Sequence, residues 1–85
     1  MIAAQFALYP LGVAHLGPIL EEAIAATRAT GVAVEVGAMS SVLQGEEDQV
    51  FGALRAAWEA AAGHGATVLV VSVSNACPVP SPAVG

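Results

Sequence analysis

Val32-Ala33-Val34-Glu35-Val36-Gly37-Ala38-Met39-Ser40-Ser41-Val42-Leu43-Gln44 is the stretch on which the fold turns. Residues 32–36 alternate, with Val32, Val34 and Val36 on one face and Ala33 and Glu35 on the other, the period of two expected of a half-buried strand. Residues 37–41 read as a short turn region, and the segment SSVLQ (40–44) resumes as a strand. The two strands are expected to form a hairpin.

Upstream of the hairpin, Pro18 after Gly17 suits the first position of a helix. Leu20, Ala23, Ile24 and Thr27 then recur at helical spacing, with Glu21, Glu22 and Arg28 outside the stripe. Gly31 supplies the stop, so the spacing predicts a helix over 18–30. Before it, residues 3–9 (AAQFALY) read as a strand with Phe6 and Leu8 on one face and Gln5, Ala7 and Tyr9 on the other. Downstream, Gly45-Glu46-Glu47-Asp48 opens a second helix with its acids at the positive end of the macrodipole. Val50, Phe51, Leu54, Ala57, Trp58 and Ala61 form its stripe, which places Trp58 in the core, and Gly63 and Gly65 end it. Residues 66–73 (ATVLVVSV) are an almost continuously apolar fourth strand. Pro78, Pro80 and Pro82 make 77–85 an extended tail.

The order β-α-β-β-α-β implies an α+β, ferredoxin-like sandwich over residues 1–76, a four-stranded antiparallel sheet with both helices on one face. The other face is left open. If Val34, Val36, Phe6 and Leu8 point at the helices, Gln5, Ala7, Tyr9 and Glu35 lie on that open face. On strand four either Thr67, Leu69, Val71 and Val73 or Val68, Val70, Ser72 and Ser74 join them. A largely apolar open face marks an interface or a binding site. It reads either as a dimer interface with Gln5 and Glu35 solvated, or as a pocket lined by them, because a buried amide and carboxylate need partners.

Composition narrows the function. The chain has 85 residues, 56% of them hydrophobic and only 11% charged, against roughly 25% charged in an average soluble domain. So little polar surface implies a second apolar face buried against another subunit. With no lysine, two arginines, seven carboxylates and a net charge of −5, the chain lacks the cations that phosphate backbones or anionic lipid would require. A neutral or cationic ligand is the easier match. Cys77 is the single cysteine, so no intramolecular disulfide or CxxC site forms, and its apolar setting before Pro78 reads as structural. His15 and His64 show no metal-ligand spacing; His15 reads as a surface loop residue and His64 as a partner of a helix C-terminus.

Mean hydropathy is +0.74, but Gln5, Pro10, Gly12, His15, Gly17 and Pro18 interrupt the N-terminal stretch well short of the ~18 apolar residues of a span. No basic residue precedes Arg28, so a signal peptide is not indicated and a cytoplasmic location is expected. Residues 10–17 contain neither the arginine of an acylphosphatase-like phosphate cradle nor the cysteine pair of a metallochaperone, and no nucleophile–base pair stands at recognisable spacing. No enzyme activity, metal or cofactor is expected.

Three strings carry a family resemblance. Ala4-Gln5-Phe6-Ala7-Leu8-Tyr9-Pro10-Leu11-Gly12 resembles the first strand of the YkoF family of thiamine- and hydroxymethylpyrimidine-binding proteins. Val34 to Gly45 (VEVGAMSSVLQG) resembles its hairpin, and Ser74-Asn75-Ala76-Cys77-Pro78 its strand-four exit. The match runs in order over nearly the whole chain. The related single-domain thiamine-binding-like family also has a glutamine in strand one and a methionine before the hairpin. The resemblance implies a non-catalytic protein binding thiamine or its hydroxymethylpyrimidine moiety, in vitamin salvage or transport. YkoF-type chains carry two such domains in tandem where this chain carries one, which implies association of two copies, a homodimer or higher homo-oligomer. Ala38 stands where the family has threonine. On this reading Gln5, Glu35, Met39, Ser40, Ser41 and Asn75 are the expected ligand-binding residues. Amide and carboxylate would match the aminopyrimidine edge and methionine would face its ring. The rival expectation is a structural or regulatory interaction module of the amino-acid-sensing type.

Overall fold

Ile2, Ala4, Phe6 and Leu8 alternate along the first nine-residue strand, and they alone of its side chains turn with Pro10 toward two helices. A computed structural model describes residues 1–76 of the chain. The elements run β1 (Ile2–Pro10), α1 (Leu16–Ala29), β2 (Ala33–Val36), β3 (Ser41–Gly45), α2 (Glu47–Ala62) and β4 (Thr67–Ser74). The sheet order is β2-β3-β1-β4, every neighbouring pair is antiparallel, and α1 and α2 pack together on one face. This is the ferredoxin-like α+β arrangement expected from the element order. The extended tail over 77–85 and the structural role of Cys77 fall outside the described residues.

The register settles the phase left open on β4. Phe6 pairs with Ser41 and Val71, and Ala4 with Leu43 and Val73. Thr67, Leu69, Val71 and Val73 therefore share the helix side, leaving Val68, Val70, Ser72 and Ser74 on the open side with Gln5, Ala7, Tyr9 and Glu35. The core is centred on Leu43, Val50 and Phe6, with Ala4, Ala23, Ala53 and Ala57 around them. Small residues let the helices lie close to each other and to the sheet.

Helix α1 begins two residues earlier than expected, which makes Pro18 its third residue rather than its first. The position is tolerated because N–H groups of the first turn have no intrahelical acceptor to lose. Gly31, at φ +86°, follows the C-cap Thr30 in the left-handed conformation that suits glycine. Glu46 is the N-cap of α2, with Glu47 and Asp48 in its first turn as expected, and the Glu46 N–H donates to Gln49 Oε1 at 3.4 Å.

The expectation that Trp58 is a core residue is overturned. Trp58 is 41% exposed and Phe51 49% exposed. Helix α2 buries Val50, Ala53, Leu54, Ala57 and Ala61 instead. At 100° per residue that set is centred between Val50 and Ala57, which leaves Phe51 and Trp58 together on one flank. On the other flank Ala53, Ala56 and Ala60 admit α1. His64 does more than face a helix end: its Nε2 lies 2.6 Å from Glu22 Oε2, tying the end of α2 to α1.

Candidate functional site

A gap in the sheet makes the site. Strand β1 is paired with β4 as far as Pro10, but its pairing with β3 stops at Phe6↔Ser41. Past that row the chain leaves β3 and makes a four-residue loop, 37–40, closing on the Val36↔Ser41 pair. The loop is held by the Gly37 N–H donating to the Ser40 carbonyl at 2.8 Å. A Cβ at Gly37 would stand 2.7 Å from that carbonyl oxygen, so the turn needs glycine there. Ala7 and Leu8 consequently face the loop across an unpaired edge.

Helix α1 roofs this gap with Leu20, Ala23 and Ile24, and the result is a half-open cavity of about 150 Å³. Phe6, Leu8, Ile24 and Val36 supply apolar walls, Met39 stands at the lip of the loop, and Ser40 and Ser41 bring hydroxyls. Ser41 is only 7% exposed, and among the described residues its hydroxyl has no hydrogen-bond partner. Ser40 Oγ accepts a hydrogen bond from Gln5 Nε2 at 2.8 Å, which pins the loop to β1. The cavity continues, past Leu20, Ile24 and Val36, into a wider groove between α1 and β2 that also meets Glu21, Ala25 and Arg28. Among the described residues no acidic or basic side chain lines the cavity itself. Its chemistry is that of a flat apolar slot with hydroxyls, able to hold a ring and bond to one edge of it.

The six expected residues do not form one pocket. Met39, Ser40 and Ser41 line the cavity, and Gln5 reaches it only through Ser40. Glu35 shares the open face with Gln5 as expected, but Val42 stands between them in the row Glu35–Val42–Gln5, so they are two strand spacings, about 9.5 Å, apart. Glu35 borders a separate shallow depression with Ala33, Val42 and Gln44. Asn75 follows the end of β4, where Ser74 pairs with Ala3. That is four residues, roughly 13 Å, from the Phe6–Ser41–Val71 row. Strand alternation and strand length separate these groups. In the sequence the walls Phe6, Leu8, Leu20, Ile24 and Val36 have only the pattern of core residues. The signal that could have found them is the mismatch between a nine-residue β1 and a five-residue β3, which must leave part of β1 uncovered. Among the described residues no cluster of three or more His, Cys, Asp or Glu could hold a metal ion, and no helix is long and apolar enough to cross a membrane.

Comparison with known proteins places this geometry. The sequence profile of a family described as the YKOF-related family matches residues 1–80. No curated protein matches the chain. Among solved structures, a hypothetical protein from Methanocaldococcus jannascii is similar at 22% identity and a TM-score of 0.81, over 93% of this chain and 84% of that one. A domain of unknown function, DUF77, from Bacillus cereus is similar at 22% identity and a TM-score of 0.77, over 86% of this chain and 73% of that one. A Thermotoga maritima protein provisionally assigned to thiamine biosynthesis/salvage is similar at 17% identity and a TM-score of 0.72, over 85% of this chain and 80% of that one. At these identities the structural likenesses establish the fold.

Proposed function

The chain belongs to the YKOF-related family, and from that premise we propose that it binds the pyrimidine ring of thiamine, or free hydroxymethylpyrimidine, without catalysing a reaction. The observation that carries the reading is the half-open cavity of about 150 Å³ with apolar walls and the Ser40 and Ser41 hydroxyls set into it. A cavity of about that volume accommodates a single six-membered aromatic ring. The Ser41 hydroxyl opens onto the cavity and has no hydrogen-bond partner among the described residues, so it is free to bond a ligand. A ring with nitrogen and amino groups on its edge matches both the walls and the hydroxyls.

The T. maritima neighbour's provisional assignment to thiamine biosynthesis/salvage is consistent with the same ligand class, and the chain's net charge of −5 favours a cationic ligand such as thiamine at long range. A role in salvage or transport of the vitamin, in the cytoplasm and as an assembly of at least two copies, completes the proposal.

Calorimetry with hydroxymethylpyrimidine, thiamine and a panel of amino acids tests it. Both pyrimidines are expected to bind. Because the cavity holds one ring, the thiazolium lies outside it, over the groove. Thiamine should then bind within about tenfold of the pyrimidine alone, about 1.4 kcal/mol. Binding of neither, or of an amino acid alone, refutes the proposal.

A further inference from the structure

We infer that the groove between α1 and β2 is a subsite for a phosphate ester on the far arm of the thiazolium, so that the preferred ligand is a phosphorylated form of thiamine; this rests on the reading that places the pyrimidine in the cavity. The groove has a volume of about 550 Å³ and continues the cavity, since Leu20, Ile24 and Val36 line both. What it adds is Glu21, Ala25 and Arg28. Seven residues of helix separate the two charges, which sets them about 20° apart around α1 and about 10.5 Å apart along it. Ile24 and Ala25 lie between them, an apolar floor of little bulk.

Arg28 has no carboxylate of its own. The chain has two arginines, and Arg55 meets Glu59 one turn further on at 3.8 Å. Arg28 is exposed, and among the described residues its side chain has no ion-pair or hydrogen-bond partner. The positions three and four residues away hold Ala25, Ile24, Gly31 and Val32, so no acid is within reach along the chain. Arg28 stands in the last turn of α1, where a cation interacts favourably with the macrodipole. That accounts for a cation at the helix end, but not for one bordering a groove that opens from the cavity.

The two charges come in the order in which the ligand would meet them. Glu21 directly follows Leu20 of the cavity wall, so its carboxylate offsets the charge of a thiazolium emerging there. Arg28 is two turns farther from the cavity. Helix side chains lean toward the helix N-terminus, which brings its guanidinium back toward Glu21. The ethyl arm and ester oxygen between thiazolium ring and phosphorus span roughly 5 Å at ~1.5 Å per bond, so one molecule can lie over both charges. A guanidinium bonds two phosphate oxygens at once. The net charge of −5 opposes an anion, but the ester keeps its thiazolium charge, and physiological salt screens carboxylates farther off than about 8 Å.

Calorimetry at low salt and neutral pH with hydroxymethylpyrimidine, thiamine and thiamine monophosphate tests the subsite. The wild type should bind the monophosphate about fivefold tighter than thiamine, the scale of one exposed ion pair. That preference should fall as pH drops below about 6, where the ester takes up its second proton, and as salt is raised. Arg28→Gln should abolish it and Arg28→Lys should keep part of it, each affinity being read as a ratio to that for hydroxymethylpyrimidine, which is too short to reach Arg28. Circular dichroism checks that both variants are folded. A wild type that binds thiamine at least as tightly as its monophosphate overturns the subsite and leaves the ring-binding reading standing. So does a preference that survives Arg28→Gln. Binding of none of the three overturns both.

Discussion

Replacing Ser41 by alanine is expected to lower ligand affinity while leaving stability nearly unchanged. The Ser41 side chain is 7% exposed on the helix side of the sheet and has no hydrogen-bond partner among the described residues. Its hydroxyl opens onto the cavity and is not sealed from water, so its removal should change the stability of the free protein by less than about 1 kcal/mol. At about 2.1 cal/mol/K per residue the unfolding entropy of this chain is about 0.18 kcal/mol/K, so Tm should move by less than about 6 °C. In the complex the same hydroxyl bonds to the ring edge, and its loss should cost about 1 kcal/mol, roughly fivefold in Kd. Urea unfolding of the ligand-free protein and calorimetry with hydroxymethylpyrimidine read the two effects separately. A Ser41→Ala variant destabilised by more than about 1 kcal/mol, with affinity unchanged, would mean that the hydroxyl has a structural partner, and the binding argument would fail with it.

Gln5→Ala removes the 2.8 Å bond to Ser40. The pair is exposed, so stability should fall by less than about 1 kcal/mol, while freeing the loop lowers ligand affinity severalfold, measured by the same titration. Gly37→Ala puts a Cβ 2.7 Å from the Ser40 carbonyl oxygen and is expected to cost more than about 1 kcal/mol in urea unfolding and to weaken ligand binding, whereas alanine at exposed Gly17 should do neither. Leu43, with no exposed surface at the centre of the core, should lose about 2–5 kcal/mol on replacement by alanine. In a domain of this size that leaves a broad, low-temperature melt by circular dichroism. Glu22→Gln alters the exposed hydrogen bond to His64 and should change stability by no more than about 1 kcal/mol, checked by a double-mutant cycle with His64→Ala.

The fold was legible because period and punctuation agreed along the whole chain. Alternation in 32–36 and 3–9, helical recurrence from Leu20 to Thr27 and from Val50 to Ala61, and Gly31 and Gly63 at the stops leave one order of elements. The phase of β1 and β2 also followed from alternation, since Phe6 and Val34 could be buried only on the helix side. What sequence could not supply was how far each pairing extends. The site depends on β3 beginning only at Ser41 while β1 continues past its partner Phe6 to Pro10, and propensity says nothing about that difference. Glu35 and Gln5 do share a face, but a shared face is about 20 Å wide over four strands, so it does not bring two residues together. Trp58 lies outside the core although it falls on the apolar stripe, because a stripe of large apolar residues hides the narrower one that is buried. The helix interface runs through Ala53 and Ala57, and alanine carries little hydrophobic signal.

The same alanines bear on how much a ligand adds. Among the described residues five of the twelve buried hydrophobic ones are alanine, namely Ala4, Ala23, Ala53, Ala57 and Ala61, each burying far less than the ~1.5–3 kcal/mol worth of a leucine or phenylalanine. A domain of this length has roughly 4–13 kcal/mol of net stability to begin with, and a core this poor in large side chains lies toward the lower end. In such a domain the stretch of β1 beyond Phe6, unpaired on the β3 side, is where added contacts would count most. If the proposed ligand fills the cavity there, its presence at a hundred times Kd adds about 2.7 kcal/mol, a large share of what a core so rich in alanine supplies. Stability measured with and without hydroxymethylpyrimidine should then differ by about that amount, and equal urea midpoints at saturating ligand would refute binding to the folded chain.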